Sequence, residues 1–250
     1  MPQFHFRQQL YELKFKLGFT LFCLVIISLC CVLGNWQLYR YHYKKNLLET
    51  YQQNKTSQPQ PFLQLTGSDA TLQFKQVAAT GEYQNDWTVI LQNKPHKNKI
   101  GYEVFTPLKM TGEKRLLLID RGWVPEEYNH TAPAIPAVKG QVEITGEIKL
   151  LNEYQFILGN NLLAQTSPIM MQKMDVKELA SVTQQEFYPF VVHLDAADKN
   201  GFVREWEITT VMPQRHLAYA VQWFLMAFAL CIAYFCFCSE PVKRDDYAEK

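Results

Sequence analysis

Two long uncharged runs bracket a polar middle. Leu17 to Tyr39 holds no charged residue, and neither does Leu217 to Ser239. Each run exceeds the ~20 residues that a helix needs to cross a hydrocarbon core of about 30 Å. In lipid, a lone segment satisfies its own backbone hydrogen bonds only as a helix. Trp36 and Tyr39 close the first run, and Tyr219 and Trp223 open the second, so amphipathic rings suited to the membrane–water interface mark the inner end of each. The pattern predicts a membrane protein with transmembrane helices at 17–39 and 217–239 and one domain, 40–216, held between them on one side of the bilayer. The first run is too long for a cleaved leader, and no small-x-small site follows it.

Residues 1–16 and 240–250 then become tails in one compartment. Arg7, Lys14 and Lys16 precede the first run and Lys243 and Arg244 follow the second, which favours cytoplasmic tails. Arg40, Lys44 and Lys45 on the other flank pull the opposite way, but long translocated domains largely escape that rule. The N-terminal tail is short and poor in Arg and Ser for a mitochondrial transit peptide. The expected home is a bacterial inner membrane, with the main domain periplasmic, or a mitochondrial inner membrane if the source is eukaryotic.

Inside the loop the period changes. Tyr43, Leu47, Leu48 and Tyr51 recur at helical spacing, so a helix continues from Arg40 to about Thr56, where Gln58-Pro59-Gln60-Pro61 breaks it. Strand patterns follow at Thr71–Thr80, Trp87–Leu91, Tyr102–Leu108, Arg115–Asp120, Val142–Leu150 and Phe187–Leu194. One short helix is expected over Gln172–Ser181, with its cap near Ser167-Pro168. Thr-Gly-Glu recurs at Thr80–Glu82, Thr111–Glu113 and Thr145–Glu147, which glycine at a turn or bulge explains. The fold class is α+β: a mainly antiparallel β domain between two membrane helices.

Charge and cysteine usage narrow the function. With 25 Lys+Arg against 24 Asp+Glu, the chain shows no basic excess of the kind a nucleic-acid binder carries. Cys23, Cys30, Cys31, Cys231, Cys236 and Cys238 all fall in the apolar runs, so the middle domain needs no disulfide framework and offers no thiolate metal site. No nucleophile elbow, Walker loop, dinucleotide fingerprint, paired-His zinc motif or Cys-x-x-Cys is present, which argues against an enzyme.

Four patches carry a resemblance. Gly34-Asn35-Trp36-Gln37-Leu38-Tyr39-Arg40, with Lys44 four residues on, ends the first run. Gly81-Glu82-Tyr83 and then Gly101-Tyr102-Glu103-Val104-Phe105-Thr106-Pro107-Leu108 follow. Asp120-Arg121-Gly122-Trp123-Val124-Pro125 is the third, and His216-Leu217-Ala218-Tyr219-Ala220-Val221-Gln222-Trp223-Phe224 opens the second run. In this order, with two at membrane boundaries, they resemble the Surfeit locus protein 1 family from about Gly34 to Tyr234. Two positions depart from that family: Gln214-Arg215 stands where an Asn commonly precedes the His, and Asp120 stands where Asn is usual.

The resemblance implies an assembly factor for haem–copper cytochrome c oxidase in the respiratory chain. Its partners would be oxidase subunit I, other oxidase assembly factors and the bilayer, with no nucleic acid and no catalysis. It implies either a protein that binds haem a and assists its delivery to subunit I, or a haem-free membrane scaffold or chaperone that stabilises an assembly intermediate. His216 is the residue chosen as the tentative iron ligand, because neutral imidazole is a good axial ligand. Tyr219 and Trp223, at i+3 and i+7, would wall the cofactor, and Arg215 would pair with a propionate. From the residues alone, His216 reads first as a polar interfacial side chain beside an aromatic belt, and the resemblance is what turns the reading to a ligand. His42 is read as a solvated helix position, with a second axial ligand as the alternative. Gln37 and Arg40 either face the second helix or anchor a helix end. Arg121-Gly122-Trp123 is read as structural, with a partner-binding edge as the alternative. His96 is read as part of a solvated basic turn, and His130 and His193 show no acid–base constellation.

Overall fold

A computed structural model describes residues 3–6, 9–65, 69–127, 132–151, 157, 159–206 and 211–241. Its elements begin with β1 (Gln3–Phe6), β2 (Gln9–Leu13), α1 (Leu17–Lys55), β3 (Gln60–Pro61), α2 (Asp69–Leu72), β4 (Gln76–Tyr83), β5 (Val89–His96) and β6 (Lys99–Met110). They continue with β7 (Leu116–Pro125), β8 (Gln141–Leu150), β9 (Leu162–Ala164), β10 (Ile169–Met171), α3 (Val176–Thr183), β11 (Phe187–Leu194), α4 (Pro213–Cys238) and β12 (Ser239–Pro241). Two compact units result, Met1–Glu49 with Ile208–Lys250, and Thr50–Glu207.

In the first unit, α1 and α4 are both long and apolar enough to cross a membrane. Leu21, Phe22, Val32, Leu225, Phe228 and Phe235 point outward, an arrangement that suits lipid and not water. The residues buried along these helices are mostly small, among them Cys23, Cys30, Gly34, Ala220 and Ala227. Gly34 shows why: a Cβ there would lie 2.8 Å from the Phe224 ring, so only glycine lets that ring rest on the α1 backbone. Thr20 Oγ1 and the Tyr234 hydroxyl share a hydrogen bond at 2.8 Å, and Phe19 packs on Tyr234 and Phe237. Beyond the helices, β2 pairs with β12 as Leu13↔Ser239 and Tyr11↔Pro241, and Lys14 bridges Glu240 at 2.8 Å. The two tails therefore share one sheet. The helical continuation expected beyond Tyr39 is present, since α1 runs unbroken to Lys55.

In the second unit, the nine described strands join in the order β3-β4-β8-β11-β7-β6-β5-β10-β9, and a further β4–β6 pairing closes the five strands β4, β8, β11, β7 and β6 into a barrel. Pairing is mainly antiparallel, with β11–β7, β10–β5 and β3–β4 parallel. Side-chain alternation sorts each strand. Leu117 and Ile119 of β7, Ile144 and Ile148 of β8, and Val192 and Leu194 of β11 fill one fully buried core with Val77 and Leu108. Each contributes about 1.5–3 kcal/mol of transfer free energy. Leu116, Leu118 and Val191 point the other way, into a second core with Val89, Phe105 and Met171, and Leu179 of α3 belongs to it.

Helix α3 starts at Val176, not Gln172, and its cap is Asp175, not a residue near Ser167-Pro168. The Asp175 carboxylate accepts the N–H groups of Lys177 and Glu178 at 3.0 and 3.1 Å, and the residues just upstream are drawn into β10. Two of the three Thr-Gly-Glu glycines, Gly81 and Gly146, sit inside β4 and β8; Gly112 alone of them occupies a turn, between β6 and β7.

Strand β7 carries a bulge. Phe105 pairs with Asp120 and Val104 with Gly122, so Arg121 is the extra residue, and Gly122 takes a φ of +111° that a side chain would strain. The bulge turns Arg121 into the protein, where it is 2% exposed. Its Nε donates to Asn200 O at 2.8 Å, its Nη atoms reach Thr106 Oγ1 and Pro136 O, and its guanidinium lies over the Tyr83 and Phe202 rings. Trp123 exchanges backbone hydrogen bonds with Val203 and donates Nε1–H to Lys94 O at 2.8 Å. Within this unit the Arg-Gly-Trp patch ties loop segments to the barrel.

Candidate functional site

His216 is the fourth residue of α4, which Pro213 opens. Its Nδ1 lies 2.7 Å from Gln37 Oε1 on α1. An amide oxygen only accepts, so Nδ1 donates to it, and in the neutral form of the ring the lone pair is on Nε2. That Nε2 is buried and has no hydrogen-bond partner among the described residues. A histidine that donates one ring N–H to a fixed acceptor and holds the other nitrogen unpartnered has the disposition of a metal-ligating imidazole.

The surroundings are cationic. Gln37, Arg40 and Lys44 recur at i, i+3 and i+7, on one face of α1. Arg40 Nε is buried and without a hydrogen-bond partner among the described residues. Lys44 is buried, and its ammonium donates to Val211 O at 3.1 Å. Lys44 stands in the quoted motif, but sequence reasoning gave it no role; the i, i+7 spacing from Gln37 was the available signal.

The other residues chosen with His216 are placed differently from one another. Trp223 is half-buried, whereas Arg215 and Tyr219 are exposed, Tyr219 at 52%. Ala220, one turn beyond His216, is fully buried. His42 is exposed, its ring 5.1 Å from that of Tyr41. Gln37 faces α4 through its bond to His216, and so does more than anchor a helix end.

In the barrel unit, His193 is not the isolated histidine that the sequence suggests. Strand register sets it beside Asp120 of β7 and Glu147 of β8. Its Nε2 is 3.6 Å from Asp120 Oδ2 and its Nδ1 is 3.6 Å from Glu147 Oε1. The exposed turn expected here is present at Lys97-Asn98, while His96 itself ends β5, lies 3.9 Å from Glu205 and packs on Trp123. His130 falls outside the described residues. Among the described residues, no group of His, Cys, Asp and Glu side chains is arranged to hold a metal ion by itself.

The model of the SURF1 family matches residues 24–228, from inside the first apolar run to inside the second. A SURF1-like protein of Rickettsia felis is 25% identical over 219 residues, covering 86% of this chain and 94% of that protein. A SURF1-like protein of Monosiga brevicollis is 22% identical over 209 residues, 77% of each chain. The cytochrome oxidase assembly protein SHY1 of Saccharomyces cerevisiae is 30% identical over 125 residues, covering 48% of this chain and 31% of that protein.

Proposed function

This chain belongs to the SURF1 family, and from that premise we propose that it is a membrane-bound assembly factor for a haem–copper cytochrome c oxidase that holds haem a as cargo for subunit I. The assembly role is supported by the family and by the likeness to yeast SHY1, a cytochrome oxidase assembly protein. The haem reading rests on one observation: His216 presents an unpartnered Nε2 while Gln37 holds its Nδ1.

The residues present fit the group. Imidazole Nε2 would hold the iron, and the Gln37 amide would set its tautomer and ring orientation. Arg40 and Lys44 supply positive charge for propionate groups, a task the sequence had given to Arg215. Haem a would be the cargo, bringing an iron that can take the imidazole nitrogen, and the protein's part would be to hold and release it. In this reading both tails are cytoplasmic and the barrel is on the far side of an energy-transducing inner membrane. The paired tail strands support a shared compartment.

The test is the optical spectrum of the full-length protein purified from cells that make haem a. The expected result is a haem a band in the wild type that His216→Ala removes, with subunit I co-purifying in both. A haem-free preparation that still retains subunit I would favour the scaffold alternative.

A further inference from the structure

The buried arginine of the Arg-Gly-Trp patch lacks a matching negative charge. Arg121 is 2% exposed, and an arginine that deep is ordinarily ion-paired. Its acceptors are instead the Asn200 and Pro136 carbonyls and the Thr106 hydroxyl, and among the described residues no carboxylate pairs with it. Nη1 and Nη2 converge on the single oxygen of Pro136 at 3.5 and 3.4 Å, both long for such bonds. A guanidinium fork is matched to two oxygens, not one. It carries five N–H groups. Nε and Nη1 use all of theirs, and Nη2 keeps one N–H without an acceptor among the described residues.

This guanidinium lines a cavity of about 470 Å³, within the roughly 300–1,000 Å³ typical of small-molecule sites. Lys139 and Lys199 line it too. Both are exposed, and among the described residues neither makes an ion pair or a hydrogen bond. Val138, Val142 and Phe202 give it an apolar wall. No carboxylate is among its lining residues. Two acidic side chains stand near it. The charge of Asp198 reaches Arg121, but its Oδ1 accepts the Asn200 N–H at 2.7 Å. Glu82 faces Gln141, a lining residue, across the β4–β8 pairing. Arg204, packed on Gly201, adds a further positive charge, and its Nη2 donates to the carbonyls of Ala196 and Asp198 rather than to a carboxylate. Positive charge therefore remains in excess.

We propose that this cavity binds a phosphate dianion, free or carried by a small organic ester, with the unused Arg121 N–H, Lys139 and Lys199 as its donors. Its oxygens can meet donors from three separate segments, and its two charges offset the excess. A carboxylate brings one charge and two oxygens and leaves a lysine unmatched. A cation would meet three like charges. All the lining residues lie in the Thr50–Glu207 unit, so the inference does not rest on the His216 reading.

The test is titration of the detergent-solubilised full chain, in low-salt buffer free of phosphate, with inorganic phosphate and with phenyl phosphate. Phosphorus NMR against empty micelles reads the binding. Saturation is expected for both; tighter phenyl phosphate assigns an ester, and tighter inorganic phosphate the free ion. Phenyl phosphate is expected to bind about tenfold better near pH 7.5 than near pH 5, because its second proton leaves near pH 6. Benzoate, followed by its proton signals, is expected to bind at least about tenfold less well near pH 7.5. Lys139→Met and Lys199→Met, at exposed positions that the fold does not use, are each expected to weaken phosphate binding about three- to fivefold. Lys177→Met on α3 and His216→Ala are expected to leave it unchanged. No saturation beyond the micelle blank would overturn the proposal. So would equal binding of benzoate, an affinity indifferent to pH, wild-type affinity in both pocket lysine variants, or an equal loss in Lys177→Met or His216→Ala.

Discussion

Gln37, midway along α1, and His216, in the first turn of α4, share a 2.7 Å hydrogen bond. Gly34, three residues before Gln37, lets the Phe224 ring of α4 rest on the α1 backbone. The bond leaves the imidazole with one nitrogen held and the other unpartnered.

Gln37→Leu removes the acceptor and frees the ring to turn. Haem a affinity is expected to fall about 10–100-fold, the usual cost of losing an outer-shell partner, while a band persists at saturating haem. Gln37→Glu keeps an acceptor, raises the basicity of the imidazole, and is expected to recover the affinity and lower the midpoint potential. Haem titration and potentiometry on the purified variants check both outcomes.

Gly34→Leu places a side chain where the Phe224 ring already sits. Overpacking of this kind costs about 1–3 kcal/mol, so the helix pair is expected to unfold at lower temperature. Adding Phe224→Ala makes room and is expected to restore much of the loss. Thermal unfolding of the full chain in detergent, for the single and double variants, measures the coupling.

Arg121→Met strands the carbonyls of Asn200 and Pro136 that the guanidinium now satisfies. The expected loss is about 2–4 kcal/mol. Arg121→Lys is expected to recover less than half of it, because one ammonium cannot span the same acceptors. Denaturant unfolding monitored by near-ultraviolet circular dichroism reads both.

The helix pair was legible because the uncharged runs from Leu17 and from Leu217 have few other physical readings. Phe187–Leu194 was equally legible, being aromatic and β-branched between clear breaks. The α3 boundary was missed because a cap is decided by one side chain, Asp175, rather than by hydrophobic period. Barrel closure was out of reach, since Gly81↔Met110 and Tyr83↔Leu108 are non-local pairings with no local signal. His193 was misjudged for the same reason: Asp120 and Glu147 meet it only through strand register. At the helix site, the motif singled out His216, but whether Gln37 faces the second helix was one of two open readings, because no local signal pairs residues on two distant helices.

Burial, with the Glu103 charge added, holds the Asp120 carboxyl well above the usual carboxylate range, and this gives a pH dependence with a definite sign. Its native state holds the proton at pH values where the unfolded carboxyl, near its ordinary value of about 4, has lost it. Between those two values the native state binds more protons, so stability falls as pH rises, by up to about 1.4 kcal/mol per pH unit from this group. Asp120→Asn cannot ionise and is expected to flatten that slope and gain stability at alkaline pH relative to wild type. Unfolding curves of both proteins from pH 4 to 9 test it.

Cavity rescue shows whether the His216 imidazole ligates the iron. His216→Gly in the full-length protein, loaded with haem a, is expected to lose the wild-type band and regain it when free imidazole is added. A band that survives the substitution, or one that imidazole fails to restore in a variant folded like the wild type, would contradict it.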